Sequence, residues 1–242
     1  MSRRISMLPG SIRQRLTRND AELALQLLVR LDPGGEPQLR AAVREQGIDI
    51  LLDDPRLPEA LRTQETGALA SLPLLVYVLV RRAMREVRED DRTATDFVSS
   101  IVLHFGLGDR ARRIREHDDV TYDTLGDLAV DAECGDPTRA FLARAHMGHY
   151  ALWLAGLFPD RIEAQRHRRG GPGLDYFDDM GRRGYEMAAH HRLAHAHGVE
   201  QMFEHAAEHF PRWRLALNHM SDRVLFPNFH SADKLLRQVT WS

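Results

Sequence analysis

Cysteine occurs once in this 242-residue chain, at Cys134, and lysine once, at Lys234. A single thiol excludes an intramolecular disulfide and a thiolate metal cluster. Cys134 precedes a helix start, which favours a thiolate, but no base adjoins it, so a buried or idle thiol is expected. Every other cation among the 33 Lys and Arg is arginine, a good partner for the 35 Asp and Glu. The net charge of -2 gives no global field for nucleic acid or an anionic membrane. Long apolar runs are also missing. Leu72 to Val80 is closed by Arg81 and Arg82, well short of the ~20 residues a membrane span needs. The opening MSRRISMLPG has early arginines but no continuous apolar stretch, unlike a standard secretory signal. A soluble cytoplasmic protein is therefore expected. Walker loops, dinucleotide fingerprints, G-x-S-x-G elbows and solenoid repeats are all absent.

What is present is helical periodicity in a chain that is 43% hydrophobic. The stretch from Pro137 to His191 organises it. Asp136 as N-cap and Pro137 in the first turn start a helix that Pro159 ends. From Met147 to Phe158 no residue is charged, as expected of a helix buried on most sides. Gly148, Ala151 and Ala155 form one small-residue ridge; Gly181, Gly184 and Ala188 form another on a second helix from Leu174. The two ridges predict close helix approach. Elsewhere, Asn19 is the expected cap of AELALQLLVRL, Gly47 the stop of PQLRAAVREQG, and Ser71 with Pro73 the start of a helix through Arg88. Thr93 or Thr95 is expected to cap FVSSIVLHFG, and Ser231 a last helix SADKLLRQV. Ile48 to Leu52 reads as helix or loop, because no second convincing strand could pair with it. The fold expected is all-α, a multi-helix array or two helical halves sharing a core. Residues 1–18 form a basic arm, residues 19–242 one domain, and residues 106–121 the candidate hinge.

Eleven of the 13 histidines lie between His146 and His230. His146 and His149 share one helix face, and His191 and His195 are four apart. Neutral imidazole ligates zinc, iron, copper or nickel, so facing pairs on adjacent helices could hold a transition metal. The Glu-x-x-His motif of di-iron bundles is missing. His205 to His209 matches H-x-x-E-H, in which Glu208 would activate a zinc-bound water, but Glu208 also suits the polar face of an amphipathic helix. His117-Asp118 resembles the ligand pair of HD phosphohydrolases, in a polar stretch better read as solvated loop. Arg166, Arg168 and Arg169 in RHRRGGPG could meet an anion before a helix N-terminus, although Asp175, Asp178 and Asp179 oppose it.

LWLAGLFPDRI followed by LDYFDDMGRRGYEMAA resembles a family of uncharacterised helical bacterial proteins, over the C-terminal half alone. The resemblance implies a folded helical unit and brings no activity or ligand. The residues themselves favour a scaffold or regulatory protein acting through protein contacts or self-association, without a cofactor. The alternative is a histidine-ligated metalloenzyme or metal-binding protein using zinc or iron.

Overall fold

A computed structural model of the chain describes residues 10–63, 69–115, 117–133, 135–228 and 234. Thirteen α-helices and no strand occur among them, so the protein is all-α. The chain divides into two compact units, Met1–Leu103 and His104–Ser242. The boundary lies in the last turn of a helix and precedes the stretch expected as a hinge. No described helix is long and apolar enough to cross a membrane.

The first unit contains α1 (Arg18–Leu31), α2 (Glu36–Gln46), α3 (Asp49–Leu52), α4 (Leu57–Arg62), α5 (Leu72–Glu86) and most of α6 (Arg92–Phe105). Its core joins Leu25 and Leu28 of α1, Leu51 of α3, Leu57 and Leu61 of α4, and Leu74, Tyr77 and Val78 of α5. Of the stretch Ile48 to Leu52, Asp49–Leu52 is helical and Ile48 is its N-cap. Residues 1–9 of the expected arm lie outside the described residues, but Ile12 is buried in this core and its N–H bonds Ser100 Oγ at 3.1 Å. α1 starts earlier than expected. Thr17 and Asp20 form a capping box, Thr17 N–H donating to Asp20 Oδ2 at 2.7 Å, which satisfies two orphan groups where Asn19 would satisfy one. On α5, Ser71 caps as expected, by accepting from Leu74 N–H at 3.2 Å. At α6 neither threonine caps; Asp91 Oδ1 accepts from Thr93 N–H at 2.6 Å. Arg81, only 3% exposed, carries its charge inward. Its Nε donates to Asp53 at 2.8 Å and its other nitrogens to the carbonyl and carboxylate of Asp90. A buried guanidinium is tolerable when most of its donors are met in this way.

The second unit is built around α8 (Pro137–Leu157), flanked by α7 (Leu125–Ala132), α10 (Leu174–Ala189) and α13 (Phe210–Met220). α9 (Pro159–Arg169), α11 (Arg192–His197) and α12 (Glu200–Glu208) complete it. Of the 21 residues of α8, 15 are buried, on every face. Its bounds follow from local chemistry: Asp136 Oδ1 accepts from Thr138 N–H at 2.9 Å, and Pro159 leaves Phe158 as the C-cap. The same proline occupies the first turn of α9, where its missing N–H costs nothing. The last carbonyls of α8 are met by side chains of another element. Asn218 donates to Ala155 O and Gly156 O, both at 2.8 Å, and Ser221 donates to Leu157 O at 2.7 Å. Past Met220, α13 widens into a π-helical turn, Ser221–Leu225. Lys234, 2% exposed, donates to Asp222 O and Phe226 O around that turn. The rest of the expected C-terminal helix lies outside the described residues.

The glycine ridges meet as their spacing predicts. A Cβ on Gly184 would stand 2.8 Å from Gly148 N and 2.9 Å from Arg144 O, both backbone atoms of α8. A Cβ on Gly148 would stand 2.6 Å from the Tyr185 ring. Gly184→Ala should therefore lower stability by about 1–3 kcal/mol through overpacking, against the ~1 kcal/mol alanine gains in helix propensity. Gly126→Ala on α7, whose new Cβ would meet only Thr124 Oγ1 at 3.5 Å, is the control and should be neutral or stabilising. Urea unfolding checks both; a Gly184→Ala protein as stable as the parent would refute the close approach.

Candidate functional site

His146 and His149 are presented by α8 on successive turns, inside the second unit. His146 Nε2 donates to Ala111 O at 2.9 Å, and the ring lies against Phe105 and Tyr150. His149 is enclosed by Phe105, Tyr185 and Phe203. Burial disfavours both imidazolium forms. It pushes His146 down to about 4, against the opposing effect of the Ala111 bond, and holds His149 well below its ordinary value. Both rings are thus neutral near pH 7, the form that ligates metals. His191 sits at the α11 N-terminus, where Nδ1 accepts from Leu193 N–H at 3.2 Å and the ring packs on Phe141. His195 is exposed, with Nδ1 3.1 Å from Glu200 Oε2. Among the described residues, none of these four joins a set of three His, Cys, Asp or Glu with ligand atoms within 4.8 Å of one another. The fold thus brings His146 and His149 together in the core and employs His191 and His195 at helix ends.

The other sequence candidates resolve similarly. His205 and His209 stack with centroids 4.3 Å apart, and Glu208 is exposed at the last turn of α12. Arg166, Arg168 and Arg169 lie in the last turn of α9, not in a loop before α10. Gly170, with φ 66°, ends that helix. Arg166 turns back to Glu163 at 2.7 Å and Arg168 to Ala164 O at 3.2 Å, while Arg169 is exposed. Cationic side chains there complement the negative end of the helix dipole. His117 is exposed.

A constellation that the sequence did not reveal surrounds Arg139 on α8. Its Nε donates to Asp131 at 2.7 Å, its other nitrogens reach Asp118 and the Tyr122 hydroxyl, and its guanidinium lies 5.8 Å from the Tyr122 ring centroid. Tyr122 in turn donates to Asp131. Burial, then the Asp131 bond, pushes the Tyr122 phenol up to about 12. Burial disfavours the Arg139 charge, but Asp118, Asp131 and Tyr122 outweigh that and raise its pKa. Tyr122 N–H also bonds Arg112 O at 2.8 Å, so this polar stretch is tied down at several points. The result is an open groove of about 590 Å³ walled by Asp118, Asp119, Asp127, Asp131, Tyr122 and Arg139. Val120 and Val130 also line it, and they are 54% and 76% exposed. The only hint in the sequence was the polar run before Tyr122, because Arg139 meets partners 8 to 21 residues away.

No protein-family model matches the chain, and no curated protein or solved structure does so either.

The buried histidines set an acid limit on stability. His146 has a folded pKa of about 4 against an ordinary 6.5, so between these values the unfolded chain binds a proton that the folded chain refuses. Stability is complete above about pH 6.5 and falls as pH drops towards 4, by about 3 kcal/mol at ~1.4 kcal/mol per pH unit for this one group. His149 acts in the same direction. Urea midpoints measured from pH 7.5 down to about 4.5 should fall less steeply in His146→Gln than in the parent; parallel curves would count against this origin.

Proposed function

We propose that this chain is a cytoplasmic helical scaffold or regulatory protein that works through contact with another protein, using the groove beside Arg139 as a docking face. The observation that carries the reading is the pair of valines, 54% and 76% exposed, flanking four aspartates and one arginine. Apolar side chains exposed at a polar-rimmed hollow are the composition of a contact site. The lining has an excess of three negative charges, so the face suits a basic, partly apolar segment. Asp118 and Asp131 hold Arg139, and Asp127 completes the Thr124 capping box. These three shape the groove, leaving Asp119 as the carboxylate open to a partner cation. The partner's apolar residues would cover Val120 and Val130, and its cations would steer encounter more than they add affinity. The reading requires no cofactor.

Fluorescence anisotropy with a labelled peptide alternating arginine and leucine, and with its glutamate counterpart, tests it. The basic peptide alone should bind, and binding should weaken between about 0.05 and 0.3 M salt as screening shortens. Val130→Ser and Asp119→Asn, both on the surface, should each weaken binding about fivefold, the effect of ~1 kcal/mol at an interface. Equal binding of both peptides, or variants indistinguishable from the parent, would overturn the proposal.

A further inference from the structure

We propose that the first unit carries a binding site for a phosphate monoester, in the cleft between Arg13 and the start of α6, independently of the docking face above. The cleft is open to solvent and measures about 460 Å³, and Ser11, Arg13, Gln14, Arg92, Thr93 and Asp96 supply its polar lining. Two guanidinium groups reach it from elements 79 residues apart in sequence, one on the 3-10 turn Arg13–Arg15 and one on α6.

Asp49 braces both arginines. Its Oδ1 accepts from Arg13, and its Oδ2 stands 3.6 Å from Arg92 Nη1. Arg92 also donates Nε to Asp53 at 3.0 Å. Each guanidinium has five N–H donors. The Arg13 side chain spends one, and Arg92 keeps at least two after its bonds to Asp53 and the approach to Asp49. The hydroxyl hydrogens of Ser11 and Thr93 donate to nothing among the described residues; Ser11 Oγ only accepts, from Gln14 N–H at 3.3 Å. The site thus offers donors from several directions around one hollow, the requirement of a tetrahedral oxyanion, and forked donors suit phosphate.

One carboxylate lines the cleft. Asp96 Oδ1 is turned to Arg13 N–H at 2.9 Å, so it fixes the backbone there. The lining therefore carries two positive charges against one negative. Tyr77 is fully buried, and the Arg13 guanidinium lies 5.9 Å from its ring centroid. Asp49 and Asp53 lie against the arginines and offset part of their field, so the site relies on its forked donors and hydroxyls more than on net charge.

Thermal unfolding of the full chain, in inorganic phosphate or in chloride at equal ionic strength, tests the site. Phosphate should raise Tm progressively with concentration where chloride does not, because a ligand of the folded state stabilises it. Arg92→Gln should abolish that rise and Thr93→Val should reduce it. Arg82→Gln, an exposed α5 arginine paired with Glu86 outside the cleft, should leave it intact. If Arg92→Gln fails to fold, Thr93→Val and Ser11→Ala carry the test. Equal effects of phosphate and chloride, or cleft variants that respond like the parent, would overturn the proposal. Glycerol phosphate and vesicles containing phosphatidic acid, run in parallel, distinguish a soluble ester from a lipid headgroup; recognition of either supports the site.

Discussion

The approach of α8 to α10 is the constraint on which the second unit depends. Gly184 leaves no room for a Cβ against Gly148 N and Arg144 O, so the two backbones nearly touch. Gly181 does the same beneath Phe210, and Gly156 beneath Leu217. On α8 itself, Gly148 and Gly156 leave room for Tyr185 and Leu217 to close over the helix. The helix is then buried all round, and its polar groups must be met by specific partners. Asn218 and Ser221 cap its final carbonyls, Ala111 O accepts a hydrogen bond from His146, and Arg139 is neutralised at its first turns.

Arginine takes the role that lysine does not. Arg81 in the first unit and Arg139 in the second keep their charges within networks of two aspartates each. A planar fork can satisfy several acceptors at once, which a compact ammonium does less well. The one lysine is used differently: Lys234 donates to two carbonyls around the π turn. Both candidate sites border these arginine-carboxylate clusters, where side chains are held by ion pairs while neighbouring donors or apolar surfaces remain open.

Much of the fold was legible because its signals are local. Asp136-Pro137 and Pro159 bound α8, Gly47 and Gly198 stop helices at positive φ, and the glycine spacing foretold the central packing. Boundaries failed where two residues cooperate, as Thr17 with Asp20, or where a cap lies one step outside the pattern, as Asp91 does. α9 was not anticipated, although Pro159 and Gly170 enclose a helix there, and Arg166, Arg168 and Arg169 belong to its last turn. The sites were less legible. Spacing of three or four residues places histidines on one face, but it cannot tell a ligand face from a core face. The Arg139 groove and the Arg13–Arg92 cleft join residues from separate elements, and no single stretch of sequence holds their pattern.

Native-state hydrogen exchange tests the central claim directly. If α8 is the enclosed core of the second unit, its amides from Ala140 to Ala155 should open only with global unfolding and be the slowest of that unit. Amides of the more exposed α9 and α11 should exchange through local opening at lower free energy. Protection of α8 no greater than that of α9 would contradict the account.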